Sequence, residues 1–155
     1  MSSKLDKVIV VKLGGAILGN HDTTIEDIVH LQQQGKSVII VHGGAKLVTE
    51  WLTKQGVSSR FVQGERVTDK AALEMVTAVL AGLVNKEIVA AINSLGGQAV
   101  GISGVDGALI QGRIKDTELG YIGTVVKVDI TPLKMLLESG YIPVVASVSL
   151  HSFDK

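Results

Sequence analysis

Two segments, VIVVKLGG at 8–15 and VIIVHGG at 38–44, constrain this chain more than anything else in it. Each is a short β-branched apolar run, a polar residue and then a glycine pair. Continuous Val/Ile runs bounded by turn residues suit strands buried on both faces of a parallel sheet. Between them, Thr23 and Thr24 precede an amphipathic run through Leu31, Glu26 stands at capping-box distance from Thr23, and Gly35 is placed to end a helix. A right-handed strand-helix-strand crossover brings both glycine pairs to one edge of the sheet, where ligands of open α/β folds bind.

The remaining pattern continues the alternation. Helices are expected over 45–54, closed by Gly56, and over 70–94 after an Asp69 cap. A strand follows at 99–102, then the loop Ser103-Gly104-Val105-Asp106-Gly107. Two extended arms, 108–114 and 121–128, read as a hairpin over the site or the edge of the sheet. Thr131 as N-cap with Pro132 at the first helical position starts a helix that ends at Gly140, and 142–146 (IPVVA) forms the last strand. The fold class is α/β, a sandwich around a mainly parallel central sheet. Residues 1–155 form one domain without a linker or low-complexity segment.

Composition narrows the function. Fifteen basic and fifteen acidic residues, scattered, leave no electrostatic footprint for nucleic acid or membrane. A small-molecule partner is expected. The run 71–95 is apolar enough to suggest a membrane span, but Glu74, Asn85, Lys86 and Glu87 are too costly there, so a core or subunit-interface helix is expected. Without cysteine, and with an N-terminus (MSSKLDK) unlike a signal peptide, the expected compartment is the cytoplasm. His21, His30, His42 and His151 lack paired ligand spacing, so no metal site is expected.

Glycine is 18 of 155 residues, above the roughly 7% average, and much of it is grouped beside apolar segments. Gly14-Gly15 and Gly43-Gly44 let backbone N–H groups approach an anion, and a following helix N-terminus adds partial positive charge. Two such loops can hold a phosphoryl group from two sides. Lys12 sets a compact cation just before the first. Neither G-x-x-x-x-G-K-[ST] nor G-x-G-x-x-G occurs. The plainer alternative is a tight strand-to-helix turn with a surface lysine. Arg66, just before the long helix, suits a ligand carboxylate, or else a salt bridge to Glu65 or Asp69. In the 103–107 loop Asp106 is expected to bond the backbone, and His42 to anchor the Gly43 turn.

Lys12-Leu-Gly-Gly15, His42-Gly-Gly44, Gly64-Glu-Arg-Val-Thr-Asp69, Asn85-Lys86, Ala99-Val-Gly-Ile-Ser-Gly104 and Gly140-Tyr-Ile-Pro-Val144 together resemble the N-terminal half of the acetylglutamate kinases, within the amino-acid kinases. The resemblance implies a three-layer fold and ATP-dependent phosphorylation of the side-chain carboxylate of N-acetyl-L-glutamate, a step of arginine biosynthesis, with Mg2+ entering with ATP. It implies Lys12 as the group that stabilises the transferring phosphoryl, and Gly14, Gly15, Gly43 and Gly44 as its backbone cradle. It further implies Gly44 and Ala45 at the acceptor, with Arg66 on the acceptor's α-carboxylate. Ala45 stands where the family commonly has a third glycine. The family's Asn-x-Asn-x-Asp segment and nucleotide-binding half have no counterpart before Lys155, so the chain is expected to be an incomplete, inactive portion. With seven residues before the first strand, a homodimer is expected, in contact through the helix between Ala71 and Leu95. A kinase for carrier-borne aminoadipate and a non-catalytic ligand-binding domain remain alternatives.

Overall fold

The computed structural model describes residues 7–14 and 23–152. The chain runs through β1 (Val8–Leu13), α1 (Thr24–Gln33), β2 (Ser37–His42), α2 (Ala45–Lys54), the short hairpin β3 (Phe61–Val62) and β4 (Glu65–Arg66), and α3 (Lys70–Thr77). It continues through α4 (Asn85–Ser94), β5 (Ala99–Gly104), β6 (Ile110–Ile114), β7 (Gly123–Val128), α5 (Thr131–Glu138) and β8 (Ile142–His151).

β8 is the axis of the sheet. Its first half lies parallel between β2 and β5, with Val144 opposite both Ile40 and Gly101. β1 adds in parallel to the outer side of β2, and β6 joins the far end of β8 through Gln111 and Gly112. β7 pairs antiparallel with β6 as the other edge. The 110–128 hairpin thus extends the sheet, the edge option of the two read from the sequence.

The alternation of β2 shows why the layers form. Val38 and Ile40 pack with Ile25, Ile28, Ile88 and Ile92 of α1 and α4, while Ile39 and Val41 face Leu133 and Leu137 of α5. Helices therefore cover both faces of one strand, which is the three-layer α/β arrangement. A third apolar cluster joins Val48 and Leu52 of α2 to Ala72, Val79 and Leu80 and to Ala146 of β8. Fully burying each Val, Leu or Ile side chain of these clusters is worth about 1.5–3 kcal/mol.

Several expectations change. VIIV is buried on both faces, but VIVV is not: β1 pairs only with β2 among the described residues, and Val10 is 62% exposed. The last strand runs to His151 rather than ending at Ala146, because β6 gives its far half a partner. Thr23 does not cap α1 through its side chain; its hydroxyl faces Asp27 instead. Thr131 is the first residue of α5 rather than its N-cap, which is Ile130, and Asp129 accepts the Thr131 N–H. The Thr131 hydroxyl first, and then this N–H, lower the Asp129 carboxyl from its ordinary value.

The long helix does run from Lys70 to Ser94, with Asp69 accepting the Ala72 N–H as its cap. It is not uniform. Its middle, Ala78–Val84, is a π-helical turn, a form that recurs at functional sites. It is long and apolar enough to cross a membrane, yet it buries Asn85 together with Val79, Leu80, Ile88 and Ile92 against the sheet and its neighbouring helix.

Candidate functional site

The parallel register sets Leu13 opposite His42, so Gly14 and Gly43 leave the sheet side by side. The Gly43 N–H reaches back to the Leu13 carbonyl at 3.4 Å. Lys12 lies opposite Val41; Leu13 is buried and Lys12, on the other face of the strand, is exposed. Gly15 lies outside the described residues, as does His21.

One residue further on, Gly44 is the N-cap of α2. It offers no side-chain cap, and the first turn carries no acidic residue. The first-turn N–H groups and the positive end of the helix are therefore open to an anion. The long helix also packs closely against Gly44: a Cβ there would stand 2.8 Å from Leu80 Cδ2 and 3.2 Å from Val84 Cγ2. Leu80 and Val84 belong to the π-helical turn. Ala45 is the first residue of α2, in helical backbone that alanine adopts without strain.

Arg66 closes the same corner. The hairpin turn at Gln63 and Gly64 has positive φ at both residues, 50° and 83°, the primed-turn geometry, and sets Arg66 opposite Phe61. The guanidinium stacks on the Phe61 ring with its centre 4.7 Å from the centroid. Nη2 donates to Thr49 Oγ1 at 2.6 Å and to the Ala45 carbonyl at 3.1 Å, and Nη1 donates to Ser59 Oγ. Arg66 is only 9% exposed, and burial lowers its pKa, yet every acceptor it has is a neutral oxygen.

The salt-bridge alternative does not hold. Glu65 pairs instead with Lys115 at 2.9 Å, and Asp69 caps α3. Among the described residues the buried cation has no carboxylate partner. Gly44, Ala45 and Arg66 form one cluster at the start of α2, beside the strand ends that carry Lys12, Gly14 and Gly43. Thr49 and Ser59 were not singled out from the sequence. Thr49 was accessible in principle, since a residue four after Ala45 shares its helix face.

His42 anchors the turn as expected. Its Nδ1 is 3.0 Å from the Gly43 carbonyl, and its Nε2 is 3.0 Å from the Asn85 amide nitrogen. Burial holds its pKa below the ordinary value, opposed by the Gly43 bond. Asp106 also behaves as read, its carboxylate accepting from the Ser103 N–H and hydroxyl. No group of three or more His, Cys, Asp or Glu is placed to hold a metal among the described residues. A small cavity of about 80 Å3 opens between Gln32, Ser37 and Tyr141, at the opposite edge of the sheet, and Gln32 is already bonded to the Gln98 and Gly140 carbonyls.

Residues 7–154 match the model of the amino acid kinase family. The chain belongs to that family. An acetylglutamate kinase of Dehalococcoides mccartyi (strain CBDB1) is 47% identical over 155 residues, covering all of this chain and 57% of its own length. Another, from Cereibacter sphaeroides (strain ATCC 17029 / ATH 2.4.9), is 48% identical over 150 residues, 95% of this chain and 51% of its own length. This amino acid kinase chain thus spans about half the length of the curated relatives it matches. Among solved structures, smu.665 from Streptococcus mutans UA159 superposes with a TM-score of 0.87 at 25% identity, over 96% of this chain and 61% of that one.

Proposed function

We propose that this chain serves the ATP-dependent phosphorylation of the side-chain carboxylate of N-acetyl-L-glutamate to N-acetyl-glutamyl phosphate, and that it supplies the acceptor and phosphoryl side of the site. The observation that carries this reading is the nearly buried Arg66, held by neutral oxygens beside the uncapped start of α2. A desolvated cation without a carboxylate of its own suits one brought by a ligand. The names borne by relatives at 47–48% identity supply the acceptor.

Donor and acceptor are both anionic, so catalysis rests on positioning and on positive groups aimed at the transferring phosphoryl. Arg66 takes the acceptor α-carboxylate, and Gly44 and Ala45 line that end. Lys12 neutralises the phosphoryl oxygens, with the backbone of Gly14, Gly15, Gly43 and Gly44 around them. Mg2+ enters with ATP as part of the substrate. The protein carrying this chain, given ATP, Mg2+ and N-acetyl-L-glutamate, forms an acyl phosphate that hydroxylamine traps as a hydroxamate. A larger hydroxamate yield from another acylated amino acid, or none from any, overturns the assignment.

The apolar helix supports a homodimer. Most of its apolar length is not buried within the chain, and Leu83 is 36% exposed. Charges introduced at Ala78 and Leu83 shift the sedimentation of a dimer to that of a monomer; an unchanged profile removes this contact.

A further inference from the structure

We propose that Asn85 and His42 form a positioning pair that fixes the peptide between Gly43 and Gly44, and so aims the Gly44 N–H at the anion the site receives. The functional consequence rests on the phosphoryl-binding reading above; the hydrogen-bond geometry does not.

The Gly43 carbonyl and the Gly44 N–H belong to one trans peptide unit, so they point in opposite directions. A peptide between two glycines turns over at little cost, because neither residue has a Cβ to oppose the change. Something must hold it. The His42 ring does so by placing Nδ1 3.0 Å from the Gly43 carbonyl, which turns the Gly44 N–H away from the ring. No acceptor for the Gly44 N–H occurs among the described residues.

The bond exists only if Nδ1 carries the proton, and Asn85 decides that. Asn85 is fully buried, and its amide nitrogen gives one N–H to the Val144 carbonyl at 3.0 Å, as only an NH2 group can, leaving the second N–H shared between His42 Nε2 and the more distant Ile102 carbonyl at 3.3 Å. Its Oδ1 accepts from the Lys86 ammonium at 3.0 Å, which only an oxygen can do. Both neighbours fix the amide the same way round, so it presents a donor to His42 Nε2 at 3.0 Å. Nε2 must then be bare and Nδ1 protonated. The backbone makes room for this amide at Gly101, where a Cβ would fall on Asn85 Oδ1. Asn85 is the first residue after the π-helical turn whose Leu80 and Val84 touch Gly44, so one helix packs the loop and sets its hydrogen bonding.

Nitrogen-15 NMR of this chain at pH 7, with inorganic phosphate as the probe, tests the pair. The His42 ring is expected as the Nδ1–H tautomer, and Asn85→Leu is expected to turn it into a mixture of tautomers. Phosphate is expected to shift the Gly44 amide signal in the wild type and in His42→Asn, whose side-chain amide keeps a donor near the Nδ1 position. In His42→Met, which fills the space without a donor, the apparent phosphate affinity falls about 3- to 10-fold, as for one lost hydrogen bond. An Nε2–H tautomer in the wild type, an unchanged tautomer in Asn85→Leu, or equal phosphate affinity in His42→Met overturns the proposal. If the wild type shows the Nδ1–H tautomer but phosphate leaves Gly44 unmoved, the phosphoryl reading of the loop fails and the pair stands as its anchor.

Discussion

Arg66 donates to the carbonyl of Ala45 across 3.1 Å, tying the β3–β4 hairpin to the first residue of α2. Residues 21 apart in sequence thereby share one corner. The uncapped helix start and a nearly buried guanidinium both present positive character there. Neither would attract an anion strongly in open water; desolvation strengthens both.

Lys12→Ala separates stability from chemistry. Lys12 is exposed, so its loss is expected to change the unfolding free energy by no more than about 0.5 kcal/mol. Phosphoryl transfer by the protein carrying this chain is expected to fall on the order of 100- to 1,000-fold, as for removal of one preorganised charge-stabilising group. Urea titration and the hydroxamate assay check the two halves. A variant that retains full turnover removes Lys12 from the reaction.

Gly44→Val is expected to cost about 1–3 kcal/mol by overpacking, because its Cβ would meet Leu80 and Val84. Combining it with Leu80→Ala is expected to recover part of that loss, and a double-mutant cycle by urea unfolding measures the coupling. Strictly additive effects contradict the packing account.

Asp69→Ala removes the side-chain acceptor of the Ala72 N–H at the start of the long helix. A loss of about 0.5–2 kcal/mol is expected in urea unfolding. Asp69→Asn is expected to retain most of the stability, because an amide oxygen accepts the same bond. Equal losses in the two variants contradict the cap.

His42 gives the fold an acid limb. Its folded pKa lies below 6.5 while the unfolded chain protonates near 6.5, so below that pH the unfolded state binds the extra proton and stability falls. Protonation would set an Nε2–H against the Asn85 amide donor, with the Lys86 ammonium on that amide's other side. Stability is therefore full above about pH 6.5 and declines as pH drops through the window beneath it. His42→Asn is expected to flatten that limb relative to the wild type in urea titrations across pH 5–8. An unchanged slope excludes His42 as its source.

Much of this was legible in the sequence because local chemistry decided it. The two apolar segments before the glycine pairs needed no partner to be read as strands, and Gly35, Gly56 and Gly140 mark helix ends with φ of 79°, 73° and 85°. What was not legible depended on neighbours distant in sequence. Whether VIVV is buried on both faces depends on its place at the sheet edge, and how far β8 runs depends on β6. Arg66 was visible as a candidate, but its two readings separated only when Glu65 was found paired with Lys115 across 50 residues. Asn85 stood within a recognisable motif, yet its partner His42 lies 43 residues away. The π-helical turn between them has no periodicity signal of its own.

The most direct measurement is the affinity of N-acetyl-L-glutamate for the protein carrying this chain, by calorimetry, with wild type and Arg66→Ala compared at one ionic strength. The account predicts a loss of roughly 2–5 kcal/mol, as for a desolvated charge pair deprived of one partner. It predicts a smaller loss for 4-acetamidobutanoate, which lacks only the α-carboxylate, since that ligand never engages the guanidinium. Equal acceptor affinity in the two proteins would contradict the central claim that Arg66 awaits a carboxylate from the ligand.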